Sequence, residues 1–379
     1  VAMEVKIQTL TPIWTGGIEA GKCDRIHETS ILGSLRWWME ALVRGFGGQV
    51  CDPTEQECLY DLKKPNNGLC KVCEVFGATG WKRQFRLEVQ NIEISDANIT
   101  HSIKAERTYK NGKREEKTPT WYFRDSKPPN TPKKGTFFIK IQSLNPKFKP
   151  EIIVGLIQFI ADCSALGARP QMGFGVIKVE GDYIKTQPLY DWLIAINGSQ
   201  LYPKLPTLQN IFLAEIKPKD SNSSFTEQDT FNLKYDLRKL FRTENNAILN
   251  KSEHKGLVLK KNKKDKNINN GDVDKDLRHF IMGTVEDKRM AAKIKISRSY
   301  NNEKLIRVWG WIPEKAEVYK NGWDREKIVN DIYKHLVVNY TLHIWRETDS
   351  TRDTETPLIS EVTIFLHSLL QLQEKNYAV

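Results

Sequence analysis

The chain has 379 residues, enough for two or three domains, and its 39% hydrophobic content allows sizeable cores. Mean hydropathy is -0.52, and no stretch approaches the roughly 20 apolar residues that a membrane helix needs. Net charge is +11, from 58 Lys and Arg against 47 Asp and Glu, which favours a polyanionic partner because binding releases condensed counterions. The opening VAMEVKIQTL reads as a strand, not as a signal peptide. A cytoplasmic protein with no membrane partner is expected.

Residues 3–10 alternate as a strand, and a loop with Pro12, Gly16 and Gly17 follows. ETSILGSLRWWMEALVRGFGG is the clearest helix, with an apolar stripe of Leu32, Leu35, Trp38, Met39, Leu42 and Val43. A cysteine-bearing insertion spans about 49–80. A strand is expected from Gln84, a polar loop over 95–134, a strand over Thr136–Leu144 and a helix over about 150–165. A glycine-rich turn then leads into another strand. Strand, helix, strand, strand, helix, strand is a split βαβ order, an antiparallel sheet with two helices on one face.

Residues 186–208, with Pro188, Pro203 and Pro206, read as a linker between a first domain (1–185) and a second (209–379). The second half predicts a strand at Ile211–Ile216, a helix core at YDLRKLFRTE, and strands at Ala291–Ser299 and Leu305–Ile312. A helix is expected near Asp324–Val338, with another at the carboxyl end, where 358–366 also fits a strand. A basic, low-complexity loop covers about 247–272. FGATGWKRQFRLEVQ and IMGTVEDKRMAAKIKIS share an order of apolar residue, glycine, loop, arginine and strand, which suggests a duplicated domain. The expected class is α+β, two tandem ferredoxin-like (RRM-like) domains.

In LGARPQMGFGVI, Gly167, Gly173 and Gly175 permit backbone angles that side chains forbid, and Arg169 adds positive charge. Backbone amides beside an arginine can cradle phosphate; a tight structural turn has the same composition. The glycines follow a helix instead of opening one, so a Rossmann loop is the wrong assignment, and a Walker lysine is missing.

That turn, together with TPIWTGG, TSILGSLRWWMEALVRG and CKVCEVFGATGWKRQFRL, resembles the RAMP superfamily. Within it, the four segments look like the first RAMP subunit of type III-B (Cmr) CRISPR effector complexes. The resemblance implies two ferredoxin-like domains and a non-catalytic, RNA-binding subunit. It implies guide RNA, target RNA and neighbouring RAMP subunits as partners, toward the 3′ end of the guide.

Candidate RNA contacts are Lys22, Arg25, Arg36, Arg44, Trp81, Lys82, Arg83, Arg86, Gly167, Arg169, Gly173 and Gly175 in the first half. Arg238, Arg242, Arg278, Lys288 and Arg289 are the candidates in the second. Guanidinium groups pair with phosphates and stack on bases, and Trp37 and Trp81 beside basic residues can stack likewise. Lys104, Arg107, Lys110, Lys113 and Arg114 are further cations, Trp38 reads as core, and Arg36 equally suits an internal brace. The aromatic pattern of RRM strands is not evident, so glycine loops and basic helix edges are the expected RNA surface.

No catalytic residue, cofactor or metal ligand is assigned. His27, with His101 and Tyr109 as conceivable partners, marks the alternative of a metal-independent RAMP endoribonuclease; a protein-only adaptor is a third reading. Cys51, Cys58, Cys70 and Cys73 are open to zinc, disulfides or reduced thiols.

Overall fold

A computed structural model describes residues 2–19, 22–52, 58–97, 105–108, 114–117, 131–196, 198–241, 271–284, 289–316 and 323–372. The first half runs β1 (Ala2–Thr9), α1 (Glu28–Gly45), α2 (Lys71–Phe76), β2 (Phe85–Asp96), β3 (Ala105–Thr108), β4 (Arg114–Lys117), β5 (Lys133–Ser143), α3 (Glu151–Cys163) and β6 (Ile177–Glu180). Antiparallel pairing gives the sheet order β2-β5-β1-β6. Alternation does the sorting. Val5, Ile7, Leu87, Ile139 and Ile141 face the helices and are buried. The other face carries Lys6–Glu180 and Arg86–Glu88 ion pairs. The α1 stripe turns Ile31, Leu35, Trp38, Met39 and Leu42 into the same core.

The polar 95–134 stretch holds more order than its composition suggests. β2 reaches Asp96, β5 starts at Lys133, and β3 pairs with β4 as a hairpin. The expected linker contains α4 (Gln187–Ile194), whose Leu189 and Leu193 are fully buried. Gly155 of α3 lets α4 approach closely: a Cβ there would stand 3.1 Å from that of Leu189.

The second half runs β7 (Ile211–Lys217), α5 (Glu227–Leu240), α6 (Gly271–Met282), β8 (Ile294–Ile296), β9 (Ile306–Trp311), α7 (Arg325–Asn339), β10 (Thr341–Glu347) and α8 (Val362–Leu369). Its sheet is ordered β10-β7-β9-β8. Both sheets therefore place the fourth strand beside the first, then the third, then the second. The chain is two ferredoxin-like units in tandem, an α+β fold. α5 begins earlier than its apolar pattern indicated, because Thr226 and Asp229 form a capping box at its start. α6 and β10 were not anticipated; the carboxyl-terminal helix was.

The helix-side cores differ from the face between the units. In β9, Ile306 and Val308 point into the second core, while Arg307, Trp309 and Trp311 point away from it. Ile211, Leu213 and Trp309 join the first core cluster. The strip of the second sheet's outer face around Leu213 and Trp309 is thus covered by the first unit. α8 also returns to the first core through Phe365, Leu366 and Leu369, and Thr186 donates to the Leu370 carbonyl at 2.9 Å.

Candidate nucleic-acid interface

The glycine-rich turn is a packed junction. Gly167, Gly173 and Gly175 all have positive φ, and Cβ atoms there would lie 2.7, 2.7 and 2.1 Å from the Trp14 carbonyl oxygen, the Arg298 nitrogen and the Leu166 carbonyl oxygen. The amides of Leu166, Ala168, Met172, Gly173 and Gly175 donate to backbone carbonyls, and that of Gly167 to the Ser34 hydroxyl. An open amide cradle for phosphate is therefore not what the glycines build; occupied donors and close backbone contacts explain them. Lys234 of α5 donates to the Gln171 carbonyl, and the Arg298 amide to the Gly173 carbonyl at 3.1 Å, so the second unit grips this turn. Arg169 is half-buried with its guanidinium 4.1 Å from the Trp14 ring centre, and desolvation lowers its pKa.

Beside the turn opens a cleft of about 520 Å³, walled by α1, the Gly167–Gln171 stretch and the outer face of β8 and β9. Trp37 and Trp311 contribute aromatic surface, and Lys293 and Lys295 contribute ammonium groups. Lys295 Nζ lies 5.2 Å from the Trp37 ring centre; Lys293 Nζ lies 5.2 Å from that of Trp311 and 3.5 Å from that of Phe280. Their ammonium groups donate to the Lys293 and Phe280 carbonyls at 3.2 and 2.8 Å. Desolvation pulls Lys293 down to about 8. It pulls Lys295 down to about 7, with the Lys293 charge adding to the effect. Gly33 lies within α1 at the cleft wall, and an added Cβ there would meet nothing within 4 Å. Apolar walls, ring faces and cations together suit a flat heteroaromatic ring with an anion attached.

Sequence reasoning missed Lys293, Lys295 and Trp311. Their signal was alternation: the two lysines interleave with Ile294 and Ile296, so they share the face of β8 opposite the core.

The predicted contacts do not converge on one surface. Arg44 is buried, paired with Glu40 at 3.2 Å and donating to the Pro206 carbonyl, so it offers nothing to a ligand. Arg36 braces α1 against the cysteine insertion, donating to Glu40 at 3.0 Å, the Gly77 carbonyl at 3.2 Å and Cys73 Sγ at 3.0 Å. Trp81 stacks on Tyr60 at 5.0 Å and donates to the Glu74 carbonyl. Lys22 pairs with Glu19 and Arg25 with Glu28, both exposed before α1. Lys82 is exposed, Arg83 is half-buried near the Phe85 ring, and Arg86 is exposed on the outer face of the first sheet. Arg238 on α5 and Arg278 on α6 are half-buried, and Arg289 is exposed before β8. Arg242, Lys288, Lys104, Lys110 and Lys113 lie outside the described residues, as does the basic loop up to residue 270. Arg107 and Arg114 stand on β3 and β4.

His27 precedes α1. Its ring Nε2 hydrogen-bonds Asp24 Oδ1 at 2.7 Å, and its amide donates to the Thr15 hydroxyl. His101 and Tyr109 fall outside the described residues. On the far side of Arg36, the sulfurs of Cys51, Cys58, Cys70 and Cys73 converge within 4.8 Å of one another.

The family model of the RAMP superfamily matches residues 6–178. No curated protein matches the chain. Among solved structures, the chain is similar to apo Cmr1 from Pyrococcus furiosus at 12% identity, covering 90% of this chain and 98% of that one, with a TM-score of 0.44. It is also similar to a chain of the type III-B Cmr-beta complex bound to cognate target RNA (13% identity, 89% and 99% coverage, TM-score 0.43). A third match is to that complex with AMPPnP and single-stranded DNA (11%, 89% and 99%, 0.42). The residues that the RAMP superfamily model matches, 6–178, hold α1, α3, the glycine turn and nearly all of the first sheet.

Proposed function

We propose that this protein is a non-catalytic RNA-binding subunit of a type III-B CRISPR ribonucleoprotein complex, in contact with guide or target RNA toward the guide 3′ end and with neighbouring RAMP subunits. The type III-B assignment rests on the four resembling sequence segments. The RNA-binding assignment rests on one observation above the others: Lys293, Lys295, Trp37 and Trp311 meet in a cleft walled by the glycine turn. An unpaired base stacking on either indole would bring its phosphate within reach of the ammonium groups. The outer face of the second sheet cannot serve as an RRM platform along its whole width, since the first unit covers Leu213 and Trp309. Binding in the junction cleft, beside the covered strip, is compatible with that packing.

Fluorescence anisotropy with labelled single-stranded RNA tests this reading. Affinity should fall steeply with salt and drop in Lys293→Gln/Lys295→Gln with folding retained. RNA affinity that is negligible, or indifferent to salt and to these changes, would favour the protein-only adaptor instead.

The His27–Asp24 hydrogen bond is the observation that favours a nuclease. General acid–base cleavage needs a second positioned group. Incubation with labelled guide and target RNA, without and with His27→Ala, separates the two: intact RNA in both supports the non-catalytic reading, and site-specific cleavage lost in the variant overturns it.

A further inference from the structure

The cysteine insertion brings four thiols from three places in the sequence to one point. Cys51 follows α1, Cys58 lies in the loop beyond, and Cys70 and Cys73 flank the start of α2. All four sulfurs lie within 4.8 Å of one another, with Cys51–Cys73 at 3.5 Å and Cys51–Cys70 at 3.8 Å. A tetrahedral tetrathiolate with bonds of about 2.3 Å sets its sulfurs about 3.8 Å apart. A disulfide needs about 2.05 Å between one pair, and pairwise bridging gives no reason for four sulfurs to be mutual neighbours.

The surroundings are those of thiolates and not of thiols packed as small hydrophobes. The Cys70 amide points at Cys58 Sγ and the Cys73 amide at Cys70 Sγ, each at 3.4 Å. Arg36 donates to Cys73 Sγ at 3.0 Å.

We propose that Cys51, Cys58, Cys70 and Cys73 bind one Zn²⁺ ion as a structural tetrathiolate site, with Arg36 as the outer positioning residue that ties it to α1. Binding exchanges four thiol protons, released to solvent, for four Zn–S bonds. The ion with four thiolates carries two negative charges, and the Arg36 guanidinium offsets one of them. Zinc is favoured over harder ions because the donor set is all sulfur, and this set closes the coordination sphere without a water. The ion thereby holds in place the insertion that seats Trp81.

The test uses the full chain, purified without metal-affinity resin and without added zinc. Elemental analysis should give one zinc per chain. After zinc is removed, added Co²⁺ should give rise to thiolate-to-cobalt charge transfer and tetrahedral d–d bands. Cys70→Ser/Cys73→Ser should lose both signals, and Cys163→Ala, outside the cluster, should keep them. Arg36→Met should retain the metal but surrender it to a chelator at roughly 10-fold or more lower competitor concentration. Zinc-free protein that takes up no cobalt overturns the proposal. So does a mass lower by two hydrogens per bridge, which identifies disulfides. These two measurements need no variant, so a cysteine variant that fails to fold does not blunt the test.

Discussion

The Arg307 guanidinium of β9 donates to the Ser164 carbonyl at 2.8 Å, joining the second unit to the end of the first unit's α3. It also donates to the Ala161 carbonyl at 2.9 Å and pairs with Glu215 at 3.0 Å, to which Tyr300 donates at 2.6 Å. A cation at a helix carboxyl end satisfies orphan carbonyls and opposes the dipole. Removing it leaves Glu215 little-exposed and uncompensated. Arg307→Ala should therefore cost about 3–5 kcal/mol in urea unfolding, whereas Arg307→Met/Glu215→Leu should recover much of that loss. A double variant as unstable as the single one would refute a charge-pairing origin.

Base stacking and phosphate pairing leave different marks at the cleft. Trp37→Ala should weaken RNA binding by about 1–3 kcal/mol with little change in salt slope. Lys293→Gln and Lys295→Gln should each flatten the slope by about one unit. Arg44→Met, at a buried site, should lower stability and leave both quantities alone. Anisotropy titrations at several salt concentrations read all of this.

The lysines also predict a pH dependence. A free lysine holds its proton to about pH 10.4, but Lys295 is depressed to about 7, as is Lys234 through burial. Between these limits the unfolded chain binds more protons than the folded one, so stability should rise as pH increases from 7 toward 10. RNA affinity should move the opposite way, since the neutral amine attracts no phosphate. At pH 8, binding should take up protons, measurable calorimetrically in buffers of differing ionisation enthalpy. Equal heats in all buffers would remove the lysines from the interface.

Glycines at two places make opposite predictions. Gly173→Ala puts a Cβ 2.7 Å from the Arg298 amide at a positive φ, so thermal unfolding should show a loss of about 1–3 kcal/mol. Gly33→Ala enters open space inside a helix and should gain about 0.5–1 kcal/mol. Gly33→Leu should keep the fold yet fill the cleft and depress RNA binding.

Periodicity made most of the first unit readable. The α1 stripe and the alternation of β1, β2 and β5 each state their buried face locally. β10 was missed because TLHIWRE follows α7 with no glycine or proline between them, so the helix pattern hid the strand. α6 was missed beside a polar, basic run. The cleft was the least legible part. Trp37 and Lys295 become neighbours when two domains dock, and no local pattern encodes a docking angle. The glycine turn was located correctly but given the wrong task, because glycine composition does not say whether a backbone approaches phosphate or another backbone.

With Ile211, Leu213 and Trp309 buried against its neighbour, the second unit behaves as half of a dimer whose partner is its own chain. Severed within 186–208, it would present a sticky apolar strip to solvent and self-associate. Neither unit can therefore be removed without exposing the other's seam.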